Sequence, residues 1–354
     1  MSSLMERMQK VGTIKHASVL SESPFFNKKD NIPTEIPIIN MALSGKVDGG
    51  LSSGLTFLAG ESKNFKTLLG LMLVKAYMKK YPEAVCLYYD SEFGTTPSYV
   101  SANGIDPTRV LHLPVEHLEQ LKFDISKRLE AIERGDKYIL FIDSVGNLAS
   151  KKEVDDALNQ NQAADMTRAK MMKSLWRIVT PSLTSKDIPC IAINHTYQTM
   201  EMFSKAIMSG GTGGMYSANQ VFIITKAQEK DGKDLSGYKF TINIEKSRYV
   251  REKSKFPFMV KFAGGIDKWS GLFDIALEGN FITKVTAQKY AKMDPDTGEV
   301  EEEDFKRKDT DNKDFWLPII KSEQFTKYLE SRYQLGQESL LNPEDEDDYE
   351  APTE

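Results

Sequence analysis

The residues most able to do chemistry are Gly60-Glu61-Ser62-Lys63-Asn64-Phe65-Lys66-Thr67, a stretch that nearly spells a phosphate-binding loop. It follows an apolar run, Leu55-Thr56-Phe57-Leu58-Ala59, and opens a helical pattern over 66–80. In that strand–loop–helix setting, loop N–H groups and a helix N-terminus offer partial positive charge to phosphates. Lys66 would reach the β- and γ-phosphates, and the Thr67 hydroxyl would ligate Mg²⁺. Phe65 stands where the usual pattern has its second glycine. A bulky residue there requires a negative φ. On these residues alone, a Lys-rich turn ahead of an ordinary helix is the competing reading. Three further strand ends carry polar groups. Val85-Cys86-Leu87-Tyr88-Tyr89-Asp90-Ser91-Glu92 ends in carboxylates, and Glu92 would orient and deprotonate an attacking water or, more plainly, cap the next helix. Tyr138-Ile139-Leu140-Phe141-Ile142-Asp143 has the form of a Walker B strand, whose Asp143 would hold the metal. Cys190-Ile191-Ala192-Ile193-Asn194-His195 ends in groups that would sense a γ-phosphate or serve the fold.

These groups need strands whose ends meet. Apolar runs at 55–59, 85–89, 110–113, 138–142 and 189–193 alternate with helical patterns near 66–80, 97–103, 116–134 and 167–180. Such spacing predicts an α/β fold with a mostly parallel central sheet covered on both faces. Runs at 220–225, 238–245 and 256–262 are separated only by turns, which predicts an antiparallel edge extension. Around Asp294-Pro295-Asp296-Thr297-Gly298 the charged segment 285–310 reads as an exposed insertion or hairpin. The segments 146–166 and 196–214 are long, irregular and rooted at the Asp143 and His195 strand ends, which marks them as functional.

The whole chain has 354 residues, a net charge of −5 and 40% apolar residues. That is enough for a sizeable core. There is no span-length apolar run and no leader-like start, so the expected location is the cytoplasm. Cys86 and Cys190, the two cysteines, read as small buried hydrophobes rather than a disulfide or zinc ligands. The net charge argues against a nucleic-acid partner, yet the acidic run Glu344–Glu350 holds much of it. Without that run the body is near neutral, and basic surfaces remain available.

Taken together, the phosphate loop, Tyr89-Asp90-Ser91-Glu92-Phe93-Gly94, Phe141 through Glu153 and Ile193-Asn194-His195-Thr196-Tyr197 resemble the RecA family, and most closely its UvsX-type bacteriophage recombinases. Ile36 through Gly45 adds to the likeness, which extends over most of residues 20–280. Phe before the loop lysine is itself characteristic of the UvsX type. The resemblance implies a RecA-like ATPase core at 31–280, after an N-terminal oligomerisation segment and linker at 1–30. A C-terminal extension at 281–335 and a disordered acidic tail at 336–354 would follow. It implies ATP and Mg²⁺ as cofactors, Tyr99 stacking on adenine, and catalytic roles for Lys66, Glu92 and His195, the last standing where RecA has Gln. It further implies that Lys246 and Arg248 reach into the next subunit's ATP. The two irregular segments become DNA-binding loops. Within and beside them Arg168, Lys170 and Lys205 would neutralise phosphates, Gly210 and Gly211 would let the backbone approach, and Met202 and Phe203 would stack on bases or fold the loop back.

The activity implied is ATP-dependent strand exchange by a helical filament on single-stranded DNA that also engages duplex DNA, serving recombination, repair and recombination-dependent replication. A single-strand-binding protein and a loading mediator would assist in the cytoplasm of an infected bacterial host, with no membrane partner. A closed-ring hexameric helicase of the same fold and a non-hydrolysing recombination mediator are the competing readings. Intact Lys66, Glu92 and Asp143 oppose the mediator.

Overall fold

The computed structural model describes residues 4–14, 17–23, 25, 31–159, 167–199, 206–232 and 234–336. In chain order the elements are α1 (Leu4–Val11), α2 (Pro37–Ser44), β1 (Gly54–Gly60), α3 (Lys66–Lys80), β2 (Val85–Asp90), α4 (Pro97–Ala102) and β3 (Val110–Pro114). Next come α5 (Leu118–Ala131), β4 (Tyr138–Asp143), α6 (Lys151–Leu158), α7 (Thr167–Ser185), β5 (Pro189–Gln198), β6 (Ala206–Met208) and α8 (Thr212–Ser217). The remainder is β7 (Gln220–Asp231), β8 (Asp234–Ser247), β9 (Lys255–Lys261), β10 (Gly265–Ile266), α9 (Leu272–Glu278), β11 (Ile282–Lys284), β12 (Tyr290–Met293), β13 (Val300–Phe305), α10 (Lys313–Ile320) and α11 (Glu323–Tyr333).

Packing divides the chain into two units, Met1–Pro33 with Leu51–Asn219, and Thr34–Gly50 with Gln220–Glu354. This cut differs from the linear division expected from sequence, because α2 packs against β9 in the second unit. Asn40 of α2 binds the carbonyls of Thr34 and Val47, which closes that segment on itself.

Five parallel strands, in the order β1–β5–β4–β2–β3, form the sheet of the first unit. Every residue of β1 is buried, and β2 and β4 are buried but for their first residues. Strands covered on both faces need continuous apolar sequence, which is why these runs were visible without alternation. Trp176 of α7 meets Phe57 of β1 edge-on at 5.1 Å. A Cβ on Gly214 of α8 would lie 3.1 Å from that Phe57 ring, so glycine is what lets α8 pack there. Cys86 and Cys190 are free and buried in this core.

The second unit carries the antiparallel meander β7–β8–β9–β10 and a separate antiparallel sheet, β11–β12–β13. Its hairpin β12–β13 turns at Asp294, as the sequence predicts for 285–310. Aromatic pairs pack within this unit, Phe281 edge-on to Phe325 and Phe256 tilted against Tyr333, both at 5.0 Å.

The irregular segments have more structure than expected. Residues 151–158 form a helix because Ser150 and Glu153 make a reciprocal capping box. In the second segment β6 pairs antiparallel with the extended end of β5. Met202, Phe203, Lys205 and the acidic run lie outside the described residues.

Candidate nucleotide site

Strand register brings the chemistry together. Gly60 at the end of β1 pairs with His195 of β5, and Asp90 at the end of β2 pairs with Asp143 of β4. Ligands of open parallel sheets bind beyond these carboxyl ends. There a cavity of about 300 Å³ is lined by Ser62–Leu68, Glu92, Tyr99, Asp143, Ile193 and His195.

The phosphate loop folds tightly into the N-terminus of α3. Phe65 sits at φ +62°, ψ +12°, which corrects the expectation of a negative φ there. The left-handed position that glycine normally fills is retained with an aromatic residue in it, at a cost of about 1–2 kcal/mol. Lys63 also has φ +62°. Lys66 is buried and donates from Nζ to the Glu61 carbonyl at 2.6 Å. Burial lowers its pKa, against the opposing charges of Glu92, Asp143 and Glu61.

Thr67 donates from Oγ1 to Asp143 Oδ2 at 2.8 Å. Asp143 is only 3% exposed, and its Oδ1 is buried without a hydrogen-bond partner. Burial raises this carboxyl to about 6, with the Thr67 hydrogen bond pulling down and Glu92 and Asp90 pushing up. An orphaned buried carboxylate oxygen beside a threonine hydroxyl fits a hard divalent cation. Among the described residues no cluster of three or more His, Cys, Asp or Glu side chains forms a metal centre by itself. A cation here would therefore draw its remaining ligands from phosphate and water.

Glu92 projects from a turn built by its neighbour: Asp90 Oδ1 accepts the N–H groups of Glu92 and Phe93 at 2.9 and 2.8 Å. The other Asp90 oxygen lies 3.0 Å from His112 Nε2. Glu92 Oε1 accepts from Ser144 Oγ at 2.7 Å and from Asn147 Nδ2 at 2.8 Å, and His195 Nε2 lies 3.3 Å away. His195 is seated by Gly146, where a Cβ would stand 2.5 Å from the imidazole. Its neighbour Asn194 binds the Ser209 carbonyl and hydroxyl, joining the end of β5 to the return of the second irregular segment. Tyr99, 36% exposed, stands on α4 at the cavity wall, where Thr96 caps the helix through the Tyr99 N–H.

Two family models match the chain: the RecA N-terminal domain over residues 25–267, and the C-terminal domain of the bacteriophage T4 recombination and repair protein over 269–329. The recombination and repair protein of Enterobacteria phage T4 is 56% identical over 340 residues, covering 95% of this chain and 87% of that protein. The chain belongs to the RecA family. More distant members are the RecA proteins of Ectopseudomonas oleovorans, 23% identical with 67% of each chain covered, and Malacoplasma penetrans, 25% identical over 67% of this chain and 71% of that one. The RecA-like α/β class expected from sequence is thus found, and the protein is a RecA-family recombinase.

Within this recombinase the other expected residues are placed less uniformly. Arg168, expected to neutralise DNA phosphate, instead donates to the carbonyls of Leu148 and Gly146 at 2.8 Å and Val145 at 3.3 Å. Its guanidinium thereby staples the strap that leaves β4. Lys170, two residues on, is exposed. Gly210 and Gly211 both take left-handed φ, +90° and +78°, in the bend that leads into α8. Lys246 and Arg248 belong to the second unit, at the end of β8 and just beyond it. Burial and the Arg248 charge both lower the Lys246 pKa.

Ser144, Asn147, Asp90 and Ser91 are the site residues that sequence reasoning passed over. Ser91 exchanges hydrogen bonds with Ser144, donating to its carbonyl at 2.8 Å and accepting its N–H at 3.1 Å. The peptide between Asp143 and Ser144 is cis. Only Asp90 left a readable signal, since Asp two residues ahead of a turn commonly accepts its N–H groups.

Proposed function

We propose that this recombinase binds ATP with Mg²⁺ in the cavity at the strand ends and hydrolyses it when bound to single-stranded DNA. The observation that carries the reading is the orphaned Oδ1 of buried Asp143 beside the Thr67 hydroxyl, at the mouth of a lysine-bearing phosphate loop. Thr67 and Asp143 would hold the cation, which supplies Lewis-acid charge at the phosphates. The loop N–H groups cradle the phosphates, and Lys66 exchanges the Glu61 carbonyl for a phosphate oxygen. Glu92, anchored through one carboxylate oxygen, takes the proton of the attacking water with the other. His195 senses the terminal phosphate, and its strand passes that signal through Asn194 to Ser209 and the segment before it. Tyr99 stacks on the base.

In this reading the chain polymerises head to tail on DNA. Lys246 and Arg248 place positive charge on a neighbour's nucleotide, which makes turnover depend on assembly. The α1 helix would dock on that neighbour, since Leu4, Met5, Met8 and Val11 are all more than half exposed on the chain itself. Lys170, with Met202, Phe203 and Lys205, would grip DNA beside Gly210 and Gly211. Strand exchange then serves recombination, repair and replication in the host cytoplasm, aided by a single-strand-binding protein and a loading mediator. No helix among the described residues is long and apolar enough to cross a membrane.

ATP turnover with and without single-stranded DNA tests the proposal. Wild type should be stimulated by DNA, and Lys66→Ala should lose turnover. Full turnover in Lys66→Ala, or indifference to DNA, would remove this reading.

A further inference from the structure

Glu92 Oε1 is approached from three different places: it accepts from Ser144 at the end of β4 and from Asn147 in the strap between β4 and α6, and His195 at the end of β5 lies 3.3 Å away. Of the three, His195 lines the cavity and Ser144 is buried next to Asp143. Asn147 does not line it, and it is the exposed one.

The strap that carries Asn147 is held from several sides. Val145 donates to the Ile193 carbonyl at 2.9 Å, Gly146 is closed against His195, and Leu148 is buried. Leu118 donates its N–H to the Ala149 carbonyl at 2.9 Å, and Ser150 caps α6. On the far side of the segment that follows, Arg168 at the start of α7 binds the carbonyls of residues 145, 146 and 148. The α6 cap thus belongs to the strap 145–150 that carries Asn147, and Arg168 is tied to it.

From this geometry we infer that Asn147 is a positioning residue for Glu92, and that it couples the segment between β4 and α7 to the hydrolytic base. Its amide fixes one carboxylate oxygen so that the other faces water. A strand of nucleic acid that pulls on α6 or α7 moves the strap, and with it the orientation of the base. The inference rests on the role of Glu92 proposed above.

The test is steady-state ATP turnover of the full chain with saturating single-stranded DNA. Six proteins are compared: wild type, Asn147→Ala, Asn147→Asp (the same shape without the donor), Glu92→Gln, and each Asn147 change combined with Glu92→Gln. Both single changes should lower kcat about tenfold, equivalent to about 1.4 kcal/mol, leave KM for ATP unchanged, and reduce the stimulation by DNA. In the Glu92→Gln background neither should lower the residual rate further, because the side chain that Asn147 orients no longer carries a base. An unchanged kcat, a raised KM at constant kcat, or an equal loss in both backgrounds overturns the inference while leaving Glu92 in place. Undiminished turnover in Glu92→Gln alone overturns the base assignment and this coupling with it.

Discussion

Replacing Asp143 by Asn should make the nucleotide-free protein more stable, although it removes the carboxylate proposed to hold the cation. The carboxyl is buried and raised from 3.8 to about 6 in the folded chain. A shift of about two units corresponds to about 3 kcal/mol at 1.36 kcal/mol per unit. The sign follows from proton binding. Between those two values the folded state holds more protons than the unfolded one, so wild-type stability falls as pH rises from about 4 through about 6. Above that window the fold bears a buried charge that the Thr67 hydroxyl and Lys66 offset only in part. Asn is neutral throughout and still accepts from Thr67. Urea unfolding followed by circular dichroism, in EDTA without nucleotide, should show the variant ahead by about 1–3 kcal/mol at pH 7.5. The gap should close towards pH 4. Adding Mg²⁺ and ATP should reverse the order by stabilising wild type more. A variant less stable at pH 7.5, or a gap independent of pH, would refute the claim that this carboxylate awaits a cation.

Phe65→Gly and Phe65→Ala delete the same ring, but only Ala keeps a Cβ at φ +62°. The Gly variant should be the more stable of the two by about 1 kcal/mol in the same urea assay. Arg168→Gln frees three backbone carbonyls, so amide exchange over residues 145–150 should accelerate while exchange in β1 holds. Binding of single-stranded DNA in the presence of ATP should weaken with it. Ser150→Ala removes one half of a capping box and should cost about 1 kcal/mol in the stability of α6, read as faster exchange over 151–158.

What the sequence made legible follows from burial and strand ends. Strands buried on both faces, such as β1 and nearly all of β4, demand continuous apolar runs, and a parallel sheet gathers its ligand groups at one edge. Lys66, Thr67, Glu92, Asp143 and His195 could therefore be named together before any coordinate, and the cavity does collect them. The limits have equally physical causes. Arg168 is spent on backbone carbonyls, and carbonyl geometry leaves no trace in residue type. Asn147 meets Glu92 through a single side-chain hydrogen bond between residues far apart in the chain, in a stretch with no period. The φ of Phe65 depends on the loop's path, which its neighbours impose against local preference. The grouping of α2 with the second unit is a long-range contact that local patterns do not encode. Segments 151–158 and 206–208 were hidden because their order comes from a cap and from pairing with the end of β5, rather than from an apolar stripe.

The most direct test of the account is joint-molecule formation between homologous DNAs, with ATP turnover measured in the same reaction for wild type and Glu92→Gln. The expected result is that wild type exchanges strands while consuming ATP, and that Glu92→Gln still binds ATP and single-stranded DNA but turns over at least a hundredfold less, on the scale of about 10²–10⁴ for a lost general base. Equal turnover in the two proteins would contradict it.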